Sequence, residues 1–221
     1  MLSQLDNIIY PDRCEVYEVI PSQRYVYVIF KNGHSSISTA RQDNGWKIIL
    51  NEQIRHLNEI DIIIREPRGR LLSGLNTFIQ QVLSSNPDLD TTTVTWFAKQ
   101  YTELNRHYSS QFSWILNLAR YIDPRTRLNL IGVSEIKTIT SYWLQPLNIK
   151  PMPDDFSDTI GDLSAFEYPQ RIDQIIYNQI GKSLTFAELV DYIKNNDYIS
   201  YQKVVEKSLK IIKPLYVLSK T

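Results

Sequence analysis

Two short segments carry residues whose types and spacing suit the binding of anions. The first runs Tyr25-Val26-Tyr27-Val28-Ile29-Phe30 and continues Lys31-Asn32-Gly33-His34-Ser35-Ser36. The second runs Ile60-Asp61-Ile62-Ile63-Ile64 and continues Arg65-Glu66-Pro67-Arg68-Gly69-Arg70-Leu71-Leu72-Ser73-Gly74. Each is an apolar strand that enters a cationic, polar turn and then a predicted helix. An α/β protein builds an anion pocket at the carboxyl edge of its sheet in this way. Two such pockets predict a ligand with two anionic ends. In the first, Lys31 directly follows the strand, Gly33 admits close approach of an oxyanion to the backbone, and Ser35 and Ser36 offer donors at a helix start. In the second, Arg65 ends the strand and Ser73 lies about two turns into the helix, so a guanidinium and a hydroxyl can converge on one phosphate. Arg68 and Arg70 add positive potential. The plainer alternatives are a β-turn with a solvated lysine and an arginine paired with Glu66 or another acidic neighbour.

The first loop is not a Walker A motif. That motif places its Lys after a second Gly, whereas Lys31 precedes Gly33 and the strand before it holds no glycine. Taken together, the two segments resemble the sulfotransferases that use 3′-phosphoadenosine 5′-phosphosulfate. In that family a loop of Lys, small residues and Ser/Thr holds the 5′-phosphosulfate, and Lys31 to Ser36 match it. A later Arg-Asp-Pro-x-x-Arg-x-x-Ser holds the 3′-phosphate through its Arg and Ser. Arg65, Pro67, Arg70 and Ser73 match that pattern, with Glu66 in place of the Asp. The resemblance covers residues 24–80 and, loosely, 107–136. It implies a nucleotide-binding transferase with a P-loop-like fold, which moves a sulfuryl group to a hydroxyl or amine of a sugar or small-molecule acceptor. It implies adenosine 3′,5′-bisphosphate as product and no required metal. Donor-binding roles fall on Lys31, Asn32, Gly33, His34, Ser35, Ser36, Arg65, Arg70 and Ser73, with Lys31 also steadying the bridging oxygen in catalysis. An ATP-dependent small-molecule kinase and a non-catalytic sulfotransferase-like binding protein stand as alternatives.

An acceptor hydroxyl needs a base. His34 lies inside the first loop, and His56 lies in a polar stretch that reads as surface. Arg106-His107-Tyr108-Ser109-Ser110-Gln111 resembles a His-x-x-x-Gln element near the acceptor side of some glycan sulfotransferases, which makes His107 the candidate base; the alternative is a capping or packing histidine. Glu135, after a third strand, resembles a family Glu whose expected role is structural.

The elements that must position these groups follow from periodicity. Strands are expected over residues 14–20, 25–30, 46–50, 61–65 and 128–133. The unbroken Ile run at 62–64 predicts burial on both faces, as in a parallel sheet. Pro67 suits a first helical turn, and Leu71, Leu75, Phe78 and Val82 repeat at helical spacing until Asn86-Pro87-Asp88. Further helices are expected from Ser35 to Arg41, over 94–104 with a Thr cap, after Ser109 or Ser110, from Ser134 to Leu144, and near 169–180, 184–195 and 199–212. Residues 145–169 read as an extended connection. The expected fold is α/β, a three-layer sandwich whose central, mostly parallel sheet is flanked by helices, with a helical C-terminal third. One domain spans 1–221, its core over about 14–145 and a helical extension over about 146–221.

Composition narrows the partners. The 221 residues hold 24 Lys+Arg and 24 Asp+Glu, so no global field draws the chain to nucleic acid or membrane. A single cysteine, Cys14, excludes an intrachain disulfide and fits a reducing compartment. The first residues lack the pattern of a signal peptide, and the apolar runs are too short to span a bilayer. The chain is therefore expected to be soluble and cytoplasmic. Most of its 14 tyrosines and 4 tryptophans are expected in the core, including Trp96, Trp114 and Trp143. Lys203, Lys207, Lys210 and Lys213 form a predicted solvated helical face. The sequence assigns neither an acceptor nor an oligomeric state.

Overall fold

The computed structural model describes residues 14–20, 22–29, 31, 32, 37, 41, 45–103, 105–135 and 160–218, with side chains through 208. Gly33, His34, Ser35 and Ser36, most of the helix expected from Ser35 to Arg41, most of the helix expected after Ser134, Trp143 and most of the 145–169 connection lie outside these residues.

Among the described residues, six strands form one sheet: β1 (Val16–Val19), β2 (Arg24–Val28), β3 (Lys47–Ile49), β4 (Glu59–Ile64), β5 (Arg127–Gly132) and β6 (Ser183–Thr185). Their order is β3-β1-β2-β4-β5-β6. The α-helices among the described residues are α1 (Asn51–Ile54), α2 (Pro67–Ser85), α3 (Thr91–Gln100), α4 (Gln111–Leu118), α5 (Glu167–Tyr177) and α6 (Phe186–Leu218). No helix among the described residues is long and apolar enough to cross a membrane.

The sheet is mixed rather than mostly parallel. Its centre is parallel, with Val26, Tyr27 and Val28 of β2 opposite Asp61, Ile62 and Ile63 of β4, and β4 paired along its whole length with β5. Both margins are antiparallel. Connection length explains the difference. A few residues join β1 to β2, with Gln23 at φ 54° in the turn, and a link that short can make only a hairpin. The β4-to-β5 crossover holds three helices and returns parallel. The C-terminal part is helical except for β6, a three-residue edge strand where a helix start was expected. Among helix starts, α3 begins at Thr91 because the Asp90 carboxylate accepts from Thr93 N at 2.7 Å, in place of the expected Thr cap. Ser110 caps α4 as expected, accepting from Ser113 N. The break expected between two C-terminal helices is a kink at Asp197, whose carboxylate accepts from Ser200 N and Oγ and so restarts α6.

Burial follows the strand alternation. Ile60, Ile62 and Ile64 face a core shared with Phe112, Trp114, Ile172 and Leu189 from α4, α5 and α6, while Ile63 faces Val26, Val28, Ile37 and Trp46 on the other side. Each isoleucine so enclosed contributes about 1.5–3 kcal/mol of transfer free energy. Asp61 interrupts the run as a buried charge, held by Arg24 at 2.5 Å and by Asn129 Nδ2 at 3.0 Å. The Leu71, Leu75, Phe78 and Val82 stripe of α2 packs with Val94, Ala98, Tyr108 and Phe166. Trp96 departs from expectation: it is 60% exposed on α3, whereas Trp114 is buried. Its neighbours Val94, Thr95 and Ala98 form the inward face of that helix instead.

Candidate functional site

The parallel centre of the sheet brings Lys31 and Arg65 together. Both leave the carboxyl ends of adjacent strands, β2 and β4. Lys31 sits at φ 67°, a left-handed conformation that costs a non-glycine residue free energy and is common where function requires it. The turn is closed by Asn32 N–H donating to the Ile29 carbonyl at 3.0 Å. The Lys31 carbonyl then accepts from Arg65 Nη1 at 2.9 Å, so one loop's backbone holds the other loop's guanidinium.

The Lys31 ammonium lies against α2. Nζ donates to Thr77 Oγ1 at 2.5 Å, and Thr77 Oγ1 donates to the Ser73 carbonyl one turn earlier at 3.0 Å. Lys31 thus meets α2 at Thr77, one turn from Ser73, with Arg65 bonded to its carbonyl, and all four residues are partly accessible. Partial burial, and then the nearby Arg65 and Arg70 charges, hold the Lys31 ammonium below the ordinary lysine value. Among the described residues, no carboxylate forms an ion pair with Lys31 or Arg65. Like charges held together and disfavoured by their surroundings attract an anion.

Glu66 does not pair with Arg65. Its carboxylate caps α2, accepting from Arg68 N at 2.9 Å and Gly69 N at 2.6 Å. Those N–H groups are thus taken, and side chains rather than the helix start face an anion at the second loop. Arg68 is exposed at this first turn.

The other sequence-predicted residues occupy different settings. Arg70 is 1% exposed and donates from Nη1 to the Ser109 carbonyl at 2.5 Å. It contributes positive potential to Lys31 and to Asp173 from inside the protein. Asn32 is fully buried, and its side-chain amide donates to the Ile63 carbonyl at 2.7 Å and to Gln111 Oε1 at 2.6 Å. His107 is 4% exposed, and its backbone packs on α2 at Gly74, next to Ser73. His56 is exposed, and Glu135 follows β5 at the same sheet edge as Lys31 and Arg65.

Three residues outside the expected set shape the site. Thr77 is the direct partner of Lys31, and its i+4 spacing from Ser73 was a readable signal. Asp173 of α5 is fully enclosed and accepts from Gln111 N at 2.8 Å and Phe112 N at 3.2 Å. Glu103 accepts from Ser110 N at 3.0 Å and from the Ser110 and Ser113 hydroxyls. Burial raises Asp173 to about 6 and Glu103 to about 7. Both carboxylates hold the first turn of α4 beside the two loops. Comparison with protein-family models, with curated proteins and with solved structures finds no match to this chain.

Proposed function

We propose that this chain is a sulfotransferase that uses 3′-phosphoadenosine 5′-phosphosulfate and acts on a hydroxyl or amine of a sugar or small molecule. The observation that carries this reading is the convergence of Lys31 and Arg65 at the carboxyl ends of two parallel strands, with Lys31 bonded to α2 one turn from Ser73. The donor set fits the donor molecule: an ammonium, a guanidinium and hydroxyls suit two anionic groups. When bound, that molecule supplies an activated sulfuryl group, and its 3′-phosphate distinguishes it from ATP.

Each residue then has a role. Arg65 and Ser73 hold the 3′-phosphate. Lys31 keeps its proton at Nζ and meets the negative charge that grows on the bridging oxygen. Arg70 strengthens the field from behind. Gly33, His34, Ser35 and Ser36 complete the 5′ side, a role that rests on the resemblance alone. His107 is assigned as the base that takes the acceptor proton. Because it is enclosed against α2 at Gly74, that step requires the acceptor to open the neighbouring 105–110 segment.

The test is thermal stabilisation by adenosine 3′,5′-bisphosphate, beside ATP with Mg²⁺ and adenosine 5′-monophosphate. Ligand at about 100 times its dissociation constant adds ~2.7 kcal/mol, a rise of ~5–11 °C for a chain of this size. A shift specific to the bisphosphate is expected. A shift with ATP alone moves the assignment to a kinase, and no shift with any ligand moves it to a non-catalytic protein.

A further inference from the structure

Gln111, the first residue of α4, is fully buried and joins both cationic loops through one side-chain amide. Its Oε1 accepts from Arg65 N at 2.9 Å, and its Nε2 donates to the Arg65 carbonyl at 3.0 Å. It thus pairs with both peptide groups of residue 65, as a neighbouring strand would, one residue beyond the last paired residue of β4. The same Oε1 accepts from Asn32 Nδ2, which also reaches the Ile63 carbonyl. The loop that carries Lys31 is in this way tied to the end of the strand that carries Arg65. The tie is itself anchored, since Gln111 N donates to both oxygens of Asp173, at 2.8 and 2.9 Å. Only an amide suits this place. A carboxylate would set an oxygen against the Arg65 carbonyl, and an apolar side chain would leave the Arg65 N–H, the Arg65 carbonyl and one proton of the buried Asn32 amide short of a partner.

We propose that Gln111 is a positioning residue that fixes the separation of Lys31 and Arg65, and so selects ligands with two anionic groups over ligands with one. This inference rests on the donor reading above for which anion meets which loop. A ligand that spans both loops senses their separation, whereas a ligand held by one loop does not. Gln111 touches no substrate. It acts through the backbone of residue 65 and the side chain of Asn32.

The experiment compares Gln111→Ala and Asn32→Ala with the parent by calorimetric titration of adenosine 3′,5′-bisphosphate and adenosine 5′-monophosphate. Asn32→Ala cuts the tie while keeping the bonds between Gln111 and residue 65, so it carries the test if Gln111→Ala does not fold. In each folded variant, bisphosphate affinity is expected to fall by at least about tenfold, the scale of a sub-ångström to ångström misplacement. Monophosphate affinity is expected to stay within about twofold, because the buried Asn32 side chain faces Gln111 and the turn that carries Lys31 is closed by backbone, Asn32 N–H to the Ile29 carbonyl, which both variants keep. Equal losses for both ligands, as loss of stability or of a direct contact would produce, overturn the inference, and so does no loss. A parent that binds the bisphosphate no better than the monophosphate overturns the donor reading itself, and this inference with it.

Discussion

Gly74→Ala offers a prediction whose sign separates two effects. Gly74 lies in the interior of α2, where alanine normally stabilises a helix by about 1 kcal/mol. Here a Cβ would collide with the His107 carbonyl oxygen and lie 2.7 Å from its carbon and 3.2 Å from the Tyr108 Cα. Ordinary contact between carbons is about 3.5–4.0 Å, so α2 and the 105–110 segment would have to part by about 1 Å. The obstructing atoms are backbone and cannot swing aside as a side chain end would. Backbone-displacing overpacking costs about 3 kcal/mol, which leaves a net loss of about 2 kcal/mol after the helix gain. For a chain of this size that is a melting temperature lower by ~4–8 °C. The same parting would disturb the Arg70 bond to the Ser109 carbonyl and weaken anion binding. Gly69→Ala is the control. Its Cβ would meet only Glu66 Oε2, at 2.9 Å, so its cost is limited to loosening that helix cap, about 1 kcal/mol, which the helix gain offsets. Calorimetric melting of both variants decides the matter. A Gly74→Ala protein as stable as the parent, or more stable, would refute the close packing of α2 on residues 107 and 108.

Three further predictions concern charge and access. Burial raises Glu103 to about 7 and Asp173 to about 6, so the folded chain holds protons that the unfolded chain releases; stability should therefore fall as pH rises from the ordinary carboxylate range to about 7. Glu103→Gln should flatten that slope in melting measured from pH 4 to 8, and an unchanged slope would reject the assignment. Arg65→Ala should abolish stabilisation by the bisphosphate, while Lys31→Ala should weaken it and lose turnover; equal bisphosphate affinity in Arg65→Ala and the parent would remove Arg65 from the site. Cys14 is 1% exposed with its thiol held protonated by burial, so a thiol reagent should label it only on unfolding, and rapid labelling of the native protein would contradict its position.

Much of the frame was legible along the chain. The Ile run of β4, the Leu71 to Val82 stripe of α2 and the Pro67 start are local patterns, and local patterns survive folding because periodicity sets which face is buried. Two cationic turns, each at the end of a strand, were read along the chain; that the two strands are parallel neighbours and that Arg65 donates to the Lys31 carbonyl was not. The mixed character of the sheet was less legible. The edge strand β6 is three residues long, too short for an alternating pattern to stand out, and its place is decided by Arg127 to Asn129 of β5. Trp96 was misplaced for the same reason: helical spacing says which residues share a face, but which face meets the core depends on the partner helix.

The sequence by itself determined the chemistry available: cations at strand ends, hydroxyls one helix turn apart, balanced charge and one cysteine. Tertiary structure alone decided which of those groups face outward and which are spent inside. Arg65 and Arg70 are five positions apart and carry the same charge, yet one stands partly open at the sheet edge and the other is enclosed against Ser109 and Asp173. Gln111 reaches across 46 positions to Arg65, and Asp173 reaches back 62 to Gln111. Such partners are chosen by how layers pack, because a buried amide or carboxylate is stable only where its donors and acceptors meet in space.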